Sequence, residues 1–234
     1  MPAVRNELLA ALPAVDLERL RPHLRHVQLV MDQVLHEVGG PIRDVYFVEE
    51  GIVSLTADTM DSGLVEVGMT GREGVVGTPV LLNPDAIAVH RTVVQVPGTA
   101  LRIDTASFRD AVERCPALRD RCLRHVQMVM VEASQSAACN ARHELLPRLV
   151  RWILTSHDRV DGNDVPLTQE YMAWMLGVRR AGVSAATHAL QGKGLIRQMR
   201  GRVTVLDRAG LVAEACNCYQ LIEASRRQIM AQIK

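Results

Sequence analysis

The chain has 234 residues, 48% of them hydrophobic and 23% charged, with 27 basic against 26 acidic side chains. That balance supplies one large core or two modest ones and excludes disordered, collagen-like and disulfide-scaffold architectures. No run approaches the roughly 18 apolar residues of a membrane span. Asp16 and Glu18 interrupt the N-terminal segment where a secretory signal needs an apolar stretch. A cytoplasmic protein with no membrane partner is expected. The five cysteines are odd in number and contain no Cys-x-x-Cys pair, which predicts free thiols in a reducing compartment.

Near-neutrality conceals a split on either side of Asn140. Residues 1–140 carry 13 Arg and no Lys against 18 Asp and Glu, a net of −5; residues 141–234 carry 14 Arg and Lys against 8 acidic residues, a net of +6. An acidic module joined to a basic one is the expected footprint of a chain that meets a polyanion with one part only, although a solvated basic face produces the same count.

In chain order, two short helical patterns come first, Asn6 to Leu12 and Asp16 to His23, with Asn6 and Asp16 placed as caps. From Val27 to Ile103 the periodicity changes to β-branched runs, HVQLV, DVYFV, GIVSLTA, LVEVGMT, HRTVVQV and TALRI. VGGP, EEG, MDSG, GREG and VPG separate them as turn signals. Many short strands of this kind predict a small barrel or jelly roll. Asp104 is placed to cap the next helix, and after Pro116 comes the longest helical pattern of the chain. On it Leu118, Cys122, Val126, Val129, Ala133, Ser136 and Asn140 recur at steps of four, four, three, four, three and four, one stripe of a helix. The stripe suits a pairing with an identical helix; packing on its own domain is the competing reading.

The densest signal lies between Leu167 and Asp207. Thr168 is placed to cap a helix whose inward positions are Tyr171, Met172, Met175 and Leu176, and Gly177 permits a tight turn into a second helix. That helix divides into an apolar face, Val183, Ala186, Thr187 and Leu190, and a small basic face, Arg180, Ala181, Ser184, Ala185 and His188. LIRQM and VTVLD then form a hairpin around Arg200, Gly201 and Arg202. A last helix runs from about Arg208 to Ile233. Helix, turn, helix and basic hairpin describe a winged helix-turn-helix fit for a major groove. Seven basic residues against two acidic ones between Leu167 and Arg208 favour phosphate.

Other patterns carry less. Gly71, Gly74 and Gly77 are spaced GxxGxxG, which matches neither dinucleotide nor P-loop fingerprints and reads as turns. Arg91, the Thr92 hydroxyl and a short helix beginning near Thr78 are a candidate anion site. The histidines show no ligand spacing, and Cys216 and Cys218, two apart near the start of the last helix, are expected on different helix faces and make a poor metal clamp. Cys115, Cys122 and Cys139 read as small packing residues. No metal, cofactor or catalytic set is expected, and the chain is not read as an enzyme.

The order of parts, with GIVSL, GREGVVG and LTQEYMAWMLGVRRAGVSAATHALQGKGLI, resembles the Crp/Fnr superfamily of bacterial transcription regulators. The resemblance implies an α+β protein: a cyclic-nucleotide-binding-type β-roll of jelly-roll type over 1–114, a dimerisation helix over 115–140 and a winged helix-turn-helix over 141–234. It implies a homodimer on a palindromic double-stranded DNA site, RNA polymerase as a further partner, and an unidentified small-molecule effector. DNA contacts are expected from Thr168, Gln169, Arg179, Arg180, Ser184, His188, Arg200 and Arg202, and effector contacts from Gly77, Thr78, Arg91 and Thr92. The chain departs from the pattern at Thr78, where cyclic-AMP-binding members carry a glutamate, and at Ala181 and Ala185 in the second helix, where members carry a glutamate and an arginine. It also lacks the N-terminal cysteine cluster of iron-sulfur members. The competing reading is a ligand-binding regulatory module whose C-terminal part makes protein contacts only.

Overall fold

The computed structural model describes residues 4–58 and 64–231. The described residues divide into two compact units, one of residues 4–55 and 69–129, the other of 56–58, 64–68 and 130–231.

The first unit opens with α1 (Glu7–Ala10), capped as expected by Asn6, whose side-chain oxygen accepts from the Leu9 amide. The Asn6 amide donates to the carbonyls of Val48, Arg72 and Gly74, which fastens the N-terminal segment to the sheet. The second expected cap is corrected: α2 spans Ala14–Leu20, so Asp16 lies in its first turn and Pro13 precedes it. A single 3-10 turn, Arg21–His23, leads into the strands.

These are β1 (Arg25–Leu29), β2 (Val34–His36), β3 (Asp44–Asp58), β4 (Leu64–Thr70), β5 (Val75–Val76) and, after the one-turn α3 (Pro79–Leu82), β6 (Arg91–Asp104), with the end of β3 and most of β4 belonging to the second unit. The sheet order is β1-β6-β3-β4, with β2 on β6 and β5 on β3. EEG and VPG, expected as turns, instead lie inside the continuous strands β3 and β6. The physical reason is close backbone approach: Gly51 has φ +91°, a side chain there would strike the Val96 and Pro97 carbonyls, and one on Gly98 would strike the Glu50 carbonyl. Facing glycines let two long strands bend together without breaking. Leu29, Tyr46, Val48, Val53, Val76, Val94 and Ala100 fill one core cluster of the sheet. Asp104 caps α4 (Thr105–Arg114) by accepting from the Ser107 amide, and those hydrogen bonds lower its carboxyl pKa.

Helix α5 (Pro116–Arg142) begins with proline at its first position, where the missing N–H costs nothing. Its expected pairing stripe is corrected at one end, since Leu118 and Cys122 are 1% and 0% exposed within this unit. The exposed positions are shifted to Leu123, Gln127, Met130, Ser134, Ala137 and Ala141, again at steps of four and three.

The second unit contains α6 (Leu145–His157), β7 (Asp164–Val165), α7 (Gln169–Leu176), α8 (Arg180–Gly192), β8 (Ile196–Met199), β9 (Arg202–Val205), α9 (Arg208–Glu214) and α10 (Cys218–Ala231). The expected single last helix is thus two, broken at 215–217. Leu149, Ile153, Leu154, Val183, Leu190, Val203 and Leu211 are completely buried and form its core. Strand order is β7-β9-β8. No described helix is long and apolar enough to cross a membrane.

Candidate nucleic-acid interface

The helix pair is built by local rules. Thr168 Oγ1 accepts from the Tyr171 amide at 3.0 Å and starts α7; Gly177, at φ +63°, ends it in the left-handed conformation. Val183, Ala186, Thr187 and Leu190 bury one face of α8, while Arg180, Ala181, Ser184, Ala185 and His188 are all exposed. Arg179 and Arg180 stand at the N-terminal end of α8.

Three contacts set the pair's geometry. Arg148 donates to the Leu176 carbonyl at the end of α7 and to Asn140 Oδ1, both at 3.0 Å. Gly182 lets α8 approach α6, since a side chain there would meet Leu145. Gln169 Nε2 donates to Thr187 Oγ1 at 3.3 Å and to Gln198 Oε1 at 3.2 Å. Gln169, expected as a DNA contact, is therefore half-buried and joins α7, α8 and the hairpin with its amide donors.

In the hairpin, Met199 pairs with Arg202 across the two-residue turn Arg200-Gly201, with Gly201 at φ +79°. Arg200 and Arg202 are exposed there; Arg202 lies 3.5 Å from the Asp164 carboxylate. Gln191 Oε1 accepts from the Gln198 amide at 2.7 Å, so the last turn of α8 carries the hairpin. Gln191 and Gln198 were not singled out by sequence, because a glutamine on an exposed face carries no pattern. Behind the hairpin, Arg208 donates to Asp158 Oδ1 at 2.6 Å and to the Tyr219 hydroxyl at 2.7 Å, and that hydroxyl donates to Asp158 Oδ2. Burial and the Asp158 charge push the Tyr219 pKa up, so the phenol stays a donor.

The residues expected to contact an effector lie in the first unit. Gly77, at φ +97°, has Asp44, Val45 and His36 within reach of any added side chain, and His36 pairs across from Thr92 in the β2–β6 ladder. His36 Nε2 donates to the Asp44 carbonyl at 2.9 Å. Gly77, Thr92 and His36 are buried, Thr78 is half-buried, and Arg91 lies 3.5 Å from the Glu37 carboxylate. A cavity of about 330 Å³ in this unit is lined elsewhere, by Asp16, Arg19, His23, Asp110, Arg114 and Cys115 among others.

Residues 147–214 match the Crp-like helix-turn-helix domain. Among curated protein sequences none matches the chain. The fold is similar to that of the c-di-GMP-responsive global regulator CLP of Xanthomonas campestris, at 16% identity and a TM-score of 0.66 over 82% of this chain and 99% of that one. It is similar to a CRP-family transcriptional regulator of Thermus thermophilus, at 20% and 0.66 over 81% and 96%. FixK2 from Bradyrhizobium japonicum gives 15% and 0.70 over 82% and 98%.

Proposed function

We propose that this chain, of Crp/Fnr type by its Crp-like helix-turn-helix domain and its fold, is a sequence-specific DNA-binding transcription regulator that acts in the cytoplasm as a homodimer on a two-fold symmetric site. The observation that carries the reading is the division of α8: an apolar face fully buried in the unit, and an outer face of Arg180, Ser184, His188 and small alanines left exposed beside a basic hairpin. A helix with small residues enters a major groove deeply, so Arg180 at its N-terminal end reaches base edges, with a guanine as the matching bidentate acceptor. Arg179, Arg200, Arg202 and the Thr168 hydroxyl meet phosphates and hold register. Gln169 contributes by orienting α8 and the hairpin.

The exposed α5 stripe supports the dimer. Leu123 and Met130 are 38% and 65% exposed on a helix whose other face is packed, and Ser134, Ala137 and Ala141 continue the line with small residues that permit close approach. Two such chains present paired α8 helices to half-sites one helical turn apart. RNA polymerase is the partner such a regulator addresses.

For the β-roll, Gly77, Thr78, Arg91 and Thr92 form the effector site. Thr78 offers no carboxylate to a ribose hydroxyl, which favours an effector other than a cyclic nucleotide, and Arg91 already has the Glu37 carboxylate 3.5 Å away. Selection of duplexes from a random pool tests the reading: an enriched palindromic motif is expected, and the absence of any enriched motif at low salt would favour a protein-contact module instead.

A further inference from the structure

Four metal-ligating side chains converge in the second unit where the sequence suggested none. The Cys139 and Cys216 sulfurs lie 3.4 Å apart, Cys218 Sγ lies 3.5 Å from His143 Nδ1, and all four ligand atoms fall within 4.8 Å of one another. Cys139, Cys216 and Cys218 are buried and His143 is half-buried.

Local structure explains the convergence. Cys139 and His143 are four residues apart at the C-terminal end of α5, and the His143 amide donates to the Cys139 carbonyl, so both side chains leave the same face. Cys216 and Cys218 do not share a helix. Ala215 is extended, Cys216 precedes α10, and Cys218 is its first residue; the bend between them turns both sulfurs to one side. This corrects the expectation that the two thiols diverge, which assumed one unbroken helix.

We infer that Cys139, His143, Cys216 and Cys218 form a tetrahedral site for a single divalent zinc ion. Tetrahedral zinc with bonds of about 2.3 Å to sulfur and about 2.0 Å to nitrogen sets ligand edges of about 3.7 Å for S···S and about 3.5 Å for S···N. The two observed approaches, 3.4 and 3.5 Å, lie close to those edges. A group no wider than 4.8 Å suits one ion, not an iron-sulfur cluster. Three thiolates and an imidazole are the soft and borderline donors zinc takes in closed structural sites. Gln135 Nε2, which points at Cys218 Sγ from 3.1 Å, supplies the N–H···S hydrogen bond that a ligated thiolate accepts. Binding replaces three S–H bonds by three Zn–S bonds and releases three protons to solvent, with no change of oxidation state. The ion would join the end of α5 to the α9–α10 junction that follows the hairpin.

The test uses the full-length chain, purified reduced. Elemental analysis should find one zinc per chain, and after chelation Co²⁺ should give thiolate charge-transfer absorption with intense tetrahedral d–d bands that equimolar Zn²⁺ abolishes. Cys139→Ser and Cys216→Ser should each lose the zinc and weaken the charge-transfer band, and Cys115→Ser, in the other unit, should keep both. Alkylation offers a readout independent of variant folding: Zn²⁺ should protect three thiols of the wild-type chain. A weak octahedral cobalt spectrum, no thiol protection, or a Cys139–Cys216 disulfide in freshly reduced protein that excludes metal would overturn the site.

Discussion

Arg159 donates to both carboxylate oxygens of Glu132, at 2.9 and 3.3 Å, from a position 2% exposed to solvent. The same carboxylate accepts from Arg226 Nη2 at 2.7 Å, and Arg159 also donates to the Thr155 carbonyl. One acid thus ties α5 to the end of α6 and to α10 in the second unit. Two cations around one buried carboxylate need that acid in place, because an orphaned buried guanidinium costs far more than the pair gains.

Glu132→Ala should therefore destabilise the second unit by about 3 to 5 kcal/mol. Urea unfolding should show a lower midpoint at unchanged slope. A midpoint within experimental error of wild type would mean that solvent reaches Arg159.

Met130→Glu should dissociate the proposed homodimer. Met130 is 65% exposed in the single chain, so the substitution costs the monomer little, but across a two-fold axis it buries charge without a partner. Sedimentation velocity should find folded monomer, and an intact dimer would move the interface off the Leu123–Met130–Ala137 line. Val129 is a less clean probe because it is half-buried within its own chain.

Burial holds the His36 imidazole below its ordinary pKa of 6.5, outweighing the hydrogen bond to the Asp44 carbonyl and the Asp44 charge, which favour the protonated form. Below pH 6.5 the unfolded chain takes up a proton that the folded chain refuses. The stabilisation is thus complete above that pH and is lost as the pH falls from it toward the folded value. His36→Gln, which keeps a donor for the Asp44 carbonyl, should make thermal stability fall less steeply below pH 6.5. Identical slopes for both proteins would mean that His36 does not set the acid sensitivity.

Cyclic AMP should bind weakly. Losing a charge-assisted hydrogen bond to the ribose costs about 1.5 to 3 kcal/mol, one to two powers of ten in affinity, and Glu37 competes for Arg91. Calorimetric titration giving micromolar or tighter binding would contradict this, and Arg91→Ala should abolish any binding that appears.

The helix-turn-helix was legible because its rules are local: Thr168 caps, Gly177 turns, and the helical period of about 3.6 residues separates Val183 and Leu190 from Arg180 and Ser184. Where meaning depended on what a residue meets across the fold, sequence misled. Gly51 and Gly98 looked like turns because their mutual approach joins residues far apart in the chain. Leu118 and Cys122 share a helix stripe with Val126, yet the fold buries those two within the first unit. Cys139 and Cys216 are 77 residues apart, and only the break at 215–217 brings the four ligands together.

In the proposed interface Arg180 reads bases while Arg200 only meets phosphate, and the direct measurement is the binding energy of each variant across all single-base changes of the selected site. Arg180→Ala should lose about 1 to 3 kcal/mol on the preferred duplex and become indifferent to one symmetric base pair, whereas Arg200→Ala should weaken every sequence alike and reduce the salt slope by about 1. If Arg180→Ala weakens all sequences equally and keeps the wild-type preference at every position, the outer face of α8 does not read the site.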